Sequence, residues 1–228
     1  MPDRQAVIDR LLDPGIVAII RASGPEQVVP AAEALLAGGV PAIEVALTTP
    51  HACDAIAAAR AQLGRRALLG VGTVLDNGAC RQAIEAGAEY VVTPVCRTDL
   101  IRVAHQRGCP VMIGCYTPTE AQTAHEAGAD FIKLFPADRL GPAYIKALRA
   151  PLPHLRLVPT GGVTLDTLAS FVQAGCPAVG VGSSLVSGEI LARADWPELT
   201  RRASAFVAAL RAARLAAPPA GDAAQMRV

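Results

Sequence analysis

Phe131-Ile132-Lys133-Leu134-Phe135-Pro136 places one amine inside a run of apolar residues. The run reads as a buried strand. Side chains alternate between faces along a strand, so Ile132 and Leu134 point one way while Phe131, Lys133 and Phe135 point the other. A lysine on such a face either reaches water along its stem or stays desolvated beside a partner. Lys133 and Lys146 are the only lysines of the chain, and a plain surface charge has no need of one inside a strand. Desolvation disfavours an ammonium, and a neutral amine is what covalent imine chemistry requires. The plainer alternative is a strand-end lysine that snorkels toward a bound anion.

Seven further apolar runs flank this one, giving strands over 16–21, 42–48, 67–72, 90–93, 110–114, 131–135, 155–160 and 178–182. They recur every twenty-odd residues, with Ala-rich helical stretches between most pairs. Strict alternation over eight strands predicts a closed (β/α)8 TIM barrel; an open doubly wound sheet is second, because no GxGxxG follows the first strand. An extra N-terminal helix over 5–12 is stopped by Pro14-Gly15. Glu85-Ala86-Gly87-Ala88, Glu126-Ala127-Gly128-Ala129 and Gln173-Ala174-Gly175-Cys176 repeat one device, a helix end with a Gly cap that leads into the next strand. A last helix spans 195–216. The expected organisation is therefore one domain over 1–216, with a disordered tail over 217–228 rich in Pro, Ala and Gly.

Composition narrows the function. A net charge of +1 over 228 residues gives no basic field for nucleic acid. No apolar run reaches transmembrane length, and the amphipathic start is not a signal peptide. The six cysteines are scattered without a CxxC pair, and they read as core residues in a reducing compartment. The histidines lack metal-ligand spacing, so no metal is expected. The chain reads as a soluble cytoplasmic domain.

In such barrels the site lies at the carboxyl ends of the strands. Arg21 ends the first strand. In the second, Ile43, Val45 and Leu47 face the helices, which turns Glu44 inward on the face of Thr48. A carboxylate there is costly unless paired, and Lys133 is its natural partner; acid/base plus nucleophile and a purely structural ion pair are both open. Thr160-Gly161-Gly162-Val163 and Gly180-Val181-Gly182-Ser183-Ser184 close strands seven and eight, where barrels bind phosphate through backbone N–H groups; tight turns alone are the alternative. Gly72-Thr73 and Thr93-Pro94 set a small residue beside a hydroxyl, where a ligand could approach the backbone; taken alone, turns are the plainer reading. Lys146, Arg139 and the Arg pairs at 65–66 and 201–202 read as surface.

The segments Gly15–Arg21, Ala42-Ile43-Glu44-Val45, Gly72-Thr73-Val74-Leu75, Thr93-Pro94, 131–136, Pro159-Thr160-Gly161-Gly162 and Gly182-Ser183 run in order from about residue 7 to 210. Together they resemble the 2-keto-3-deoxy-6-phosphogluconate (KDPG) aldolase family, the pyruvate-forming class I aldolases that include 4-hydroxy-2-oxoglutarate aldolases. The resemblance implies a Schiff-base lysine at Lys133 and an acid/base glutamate at Glu44. It implies pyruvyl-carboxylate contacts around Thr73, a pocket lined by Pro94 and Phe135, and phosphate contacts at Gly161, Gly162 and Ser183, with Thr160 alongside. It also implies a homotrimer, no cofactor, and a role in sugar-acid breakdown, with KDPG cleaved to pyruvate and glyceraldehyde 3-phosphate. Many KDPG aldolases carry Arg where this chain has Thr48, which cannot make a bidentate carboxylate contact. Arg21 is the candidate to take over, as in the related phosphogalactonate aldolases. The galactonate epimer and 4-hydroxy-2-oxoglutarate therefore stay open as substrates. More distant alternatives are a phosphosugar isomerase and a non-catalytic phosphosugar-binding barrel.

Overall fold

The computed structural model describes residues 3–216, so the expected tail over 217–228 lies outside the described residues. Helix α1 (Arg4–Leu12) precedes strands β1 (Ile16–Ile20), β2 (Ala42–Ala46), β3 (Leu68–Gly72) and β4 (Tyr90–Val92). Strands β5 (Val111–Cys115), β6 (Phe131–Leu134), β7 (Leu157–Pro159) and β8 (Val179–Val181) follow. The intervening helices are α2 (Val28–Ala37), α3 (Ala52–Leu63), α4 (Asn77–Glu85), α5 (Asp99–His105) and α6 (Pro118–Glu126). They continue with α7 (Ala137–Arg149), α8 (Leu165–Gln173), the short α9 (Gly188–Arg193) and α10 (Trp196–Ala216). All pairings are parallel in the order β7-β6-β5-β4-β3-β2-β1-β8, and a bridge from Thr160 to Gly180 joins the two outer strands. This is the expected (β/α)8 barrel with its extra N-terminal helix, in one domain.

The strands are buried on both faces, and the two faces carry different cores. Ile16, Ala18, Ile20, Ile43, Val45, Leu69, Val71, Ile132 and Leu134 pack outward against the helices. Val17, Ala42, Leu68, Tyr90, Val92, Met112, Phe131 and Val158 fill the barrel, and Val7, Ile8 and Leu11 of α1 plug its N-terminal end. The plug is held by polar contacts at its edge. Arg4 bonds His105 at 2.8 Å, His105 bonds Asp130 at 2.9 Å, and Asp130 accepts the Val111 N–H at 2.9 Å. One end of the barrel is thereby closed with apolar side chains, and the other opens on the loops.

Six of the eight strands end one or two residues before the apolar runs do, while β3 ends with its run at Gly72 and β5 continues one residue past it to Cys115. β2 stops at Ala46, and Thr48 sits exposed in the following turn rather than on the inward face with Glu44. Its neighbour Thr49 is the buried one, accepting the Ala22 N–H at 3.1 Å and tying the β1 and β2 ends together. Helix α9 is an addition to the expected elements, six residues started by a Ser187 cap. No helix among the described residues is long and apolar enough to cross a membrane.

Candidate active site

Strand register brings the two charged side chains into the barrel. Glu44 pairs with Ile19 on one side and Gly70 on the other, while Lys133 pairs with Gly114 and Val158. Inside, Nζ of Lys133 stands 3.9 Å from Oε1 of Glu44, with the side chains only 4% and 2% exposed. That separation is an ion pair and too long for a hydrogen bond. Oε1 has no hydrogen-bond partner among the described residues. The Lys133 amine also lies 5.3 Å from the centre of the Phe135 ring. A buried charge pair without full hydrogen bonding stabilises a fold poorly, so the arrangement is better matched to chemistry than to structure.

Glycines make the room. A Cβ on Gly72 would stand 2.5 Å from Cδ and 2.7 Å from Cγ of Glu44, and nearer still to Oε1. A Cβ on Gly114 would meet the Val95 nitrogen at 2.5 Å and the Pro94 oxygen at 2.6 Å. The turn after β4 therefore folds down over β5, beside Lys133, and brings Pro94 to the rim. Thr93 pins that turn: its buried hydroxyl donates to the Val95 carbonyl at 2.7 Å and accepts the Gly114 N–H at 2.9 Å. Thr73, directly after β3, has φ 64, a left-handed conformation that a β-branched residue adopts only when its surroundings impose it. Its half-buried side chain sits at the mouth of the barrel.

A second concavity opens beside this pair. Its ≈ 150 Å³ are bounded by Arg21, Phe135, Thr160–Thr164 and Gly182–Ser184. Gly161 and Gly162 have φ 88 and 73, and a Cβ on Gly162 would also come within 3.0 Å of the Asp138 Cα. The loop delivers its backbone to α8, whose N-terminus is capped by a reciprocal Thr164–Thr167 box. Ser184 holds the two loops together by donating to the Val163 carbonyl. Backbone amides, hydroxyls, a helix N-terminus and one guanidinium converge here, which is the chemistry of a phosphate site. Arg21 reaches it from β1, with Nη1 3.3 Å from where a Gly182 Cβ would be.

Of the residues singled out from the sequence, Arg21, Phe135, Thr160, Gly161, Gly162 and Ser183 share this cavity. Lys133 and Glu44 sit beside it in the barrel, and Thr73 and Pro94 end neighbouring strands. Thr48 is on the outer turn. Lys146 is exposed on α7, as expected. Two contributors were not foreseen: Gly72 as the space for the carboxylate, and Tyr90, whose buried hydroxyl lies in the same interior with no hydrogen-bond partner among the described residues. The inward parity of position 90 was the available signal for the tyrosine. The cysteines behave as core residues. All six are unpaired, and burial pushes the thiols of Cys109 and Cys176 up to about 12 and Cys80 up to about 11.

The family model for KDPG and KHG aldolase matches residues 7–202. The 2-dehydro-3-deoxy-6-phosphogalactonate aldolase of Escherichia coli K12 is 38% identical over 87% of this chain and 95% of its own length. The 2-dehydro-3-deoxy-phosphogluconate aldolase of Pseudomonas aeruginosa is 35% identical over 88% of this chain and 92% of its own. Among solved structures, KDPG aldolase from Legionella pneumophila, with pyruvate captured as a covalent carbinolamine, superposes with a TM-score of 0.79. It is 27% identical and covers 84% of this chain and 93% of that one.

Proposed function

Because the chain belongs to the KDPG and KHG aldolase family, and so is a pyruvate-forming lyase, we propose that it cleaves 2-dehydro-3-deoxy-6-phosphogluconate through an imine on Lys133. The observation that carries the reading is the amine of Lys133, buried inside the barrel 3.9 Å from the carboxylate of Glu44.

Neutral Nζ of Lys133 attacks the C2 ketone. Glu44 moves the protons that turn the carbinolamine into a protonated imine, expelling water. The iminium draws electrons from the C3–C4 bond. As that bond breaks, Glu44 accepts the C4 hydroxyl proton through a water, and glyceraldehyde 3-phosphate leaves. The remaining enamine is protonated at C3 and hydrolysed to pyruvate, which frees the lysine. Phe135 and Pro94 wall the pocket, and the loop at Thr73 receives the pyruvyl carboxylate. The phosphate lies in the concavity of Thr160, Gly161, Gly162 and Ser183, where its binding energy positions the reacting carbons.

A second reading, the galactonate epimer as substrate, is favoured by one specific feature. No arginine stands at position 48, and Arg21 occupies the cavity instead. The test is a parallel assay of pyruvate release from both epimers and from 4-hydroxy-2-oxoglutarate. Cleavage of a phosphorylated epimer faster than the unphosphorylated acid supports the reading; release of pyruvate from none of them overturns it. A phosphosugar isomerase would interconvert aldose and ketose phosphates without releasing pyruvate.

A homotrimer is part of the proposal. Leu75, Val95 and Tyr116 are exposed on the loops after three consecutive strands, and an apolar surface of that kind suits a second copy. Sedimentation of the purified chain at the mass of a monomer would remove this part. A cytoplasmic location is supported by the six unpaired cysteines.

A further inference from the structure

Four buried side-chain polar atoms have no hydrogen-bond partner among the described residues, and two of them lie inside the barrel. Asn77 and Arg149 belong to the outer helices. The other two are Oη of Tyr90 and Oε1 of Glu44. Unpartnered polar atoms are rare in folded interiors, and two in one place ask for an explanation.

The geometry relates them through β3. Gly70 pairs with Glu44 on one side and with Tyr90 on the other. The Tyr90 ring lies over the bare Cα of Gly70, where a Cβ would meet Cε1 at 2.5 Å and Cζ more closely. The Glu44 carboxylate lies over Gly72, the next inward position of the same strand, about 7 Å further toward the open end. The phenol thus sits just beneath the carboxylate, on the plugged side, with the substrate space above. Phenylalanine would fill the same volume without burying a hydroxyl. Burial, with the charges of Glu44 and Glu89 adding to it, holds the phenol well above its ordinary pKa. It therefore remains a donor at neutral pH, and an ionised Glu44 is an acceptor only.

We propose that Tyr90 is a positioning residue for the aldolase reaction: its hydroxyl donates, through one bridging water, to Oε1 of Glu44 and fixes the carboxylate beneath the lysine-bound substrate. This rests on the Lys133 imine reading. The need for it arises during turnover. Lys133 is the cation that faces Glu44, and once its nitrogen is bonded to C2 it has fewer protons to offer. A donor below the carboxylate holds the acid/base group in place while it serves C3 and the C4 hydroxyl.

The experiment uses the full chain and Tyr90→Phe, with two readouts on pyruvate. Borohydride trapping reports the imine, and deuterium uptake at the pyruvate methyl in heavy water reports proton removal from C3. The expected result is an imine still trapped to completion, though more slowly because Glu44 also serves its formation, with exchange and kcat lowered about ten- to a hundredfold while KM stays within about twofold. In a Glu44→Gln background the same change should cost nothing further. A Tyr90→Phe enzyme that exchanges the methyl protons at the wild-type rate, or one that loses as much again in the Glu44→Gln background, overturns the proposal. Should Tyr90→Phe not fold, Tyr90→Leu must show the same split between trapping and exchange. Absence of trapping in the wild type would instead sink the imine reading beneath it.

Discussion

Gly72→Ala tests the placement of Glu44 with the smallest available perturbation. The backbone of Gly72 is not in the left-handed region, so alanine brings no conformational strain of its own. The added methyl would stand 2.5 Å from Cδ of Glu44, whereas ordinary contact begins near 3.4 Å. The carboxylate must therefore withdraw by about 1 Å, a misplacement that costs about 100-fold in rate, or about 2.7 kcal/mol at the transition state. Overpacking a close-fitted interior adds a stability loss of about 1–3 kcal/mol, which a folded barrel tolerates. The assay is pyruvate release from the preferred phosphorylated substrate, coupled to lactate dehydrogenase, beside a thermal melt. The expected enzyme is folded, with kcat down about 100-fold and KM little changed, because the phosphate concavity is untouched. A folded Gly72→Ala enzyme with wild-type kcat would refute the role given to Glu44.

Other outcomes follow from the same geometry. Glu44→Gln should lower kcat by about 10²–10⁴-fold in steady-state assays, the range of general acid–base catalysis. Arg21→Ala removes the guanidinium from the concavity; KM for the phosphorylated substrate should rise about tenfold or more, with kcat little changed. Thiol labelling at pH 8 should modify the half-buried Cys53 and Cys96 first. Cys80, Cys109 and Cys176, whose thiols burial holds at about 11 to about 12, carry little thiolate there and should stay unlabelled until the chain unfolds. Rapid labelling of all six in the folded protein would contradict that packing.

The barrel was legible because each strand is a short apolar run between helical stretches, and both faces of a parallel sheet demand such runs. The strand ends were less so. Thr48 looked inward by simple alternation, but β2 ends at Ala46, and alternation means nothing once the chain turns. Glu44 and Lys133 stood out because a charge inside an apolar run is costly. Tyr90 did not, since an aromatic residue in such a run reads as core, and only the register shows its hydroxyl beneath the carboxylate. The part played by Gly72 was hidden for a related reason. The space a glycine leaves is defined by a neighbour on another strand, which no local pattern names. Arg21 could be placed at a strand end, but its reach across β8 to the concavity depends on how the barrel closes.

The most direct test of the central claim is borohydride reduction of the wild-type protein with pyruvate, followed by peptide mass mapping. The account predicts one adduct, on Lys133, lost in Lys133→Ala together with all cleavage activity. No adduct, an adduct on Lys146, or full activity in Lys133→Ala would contradict it.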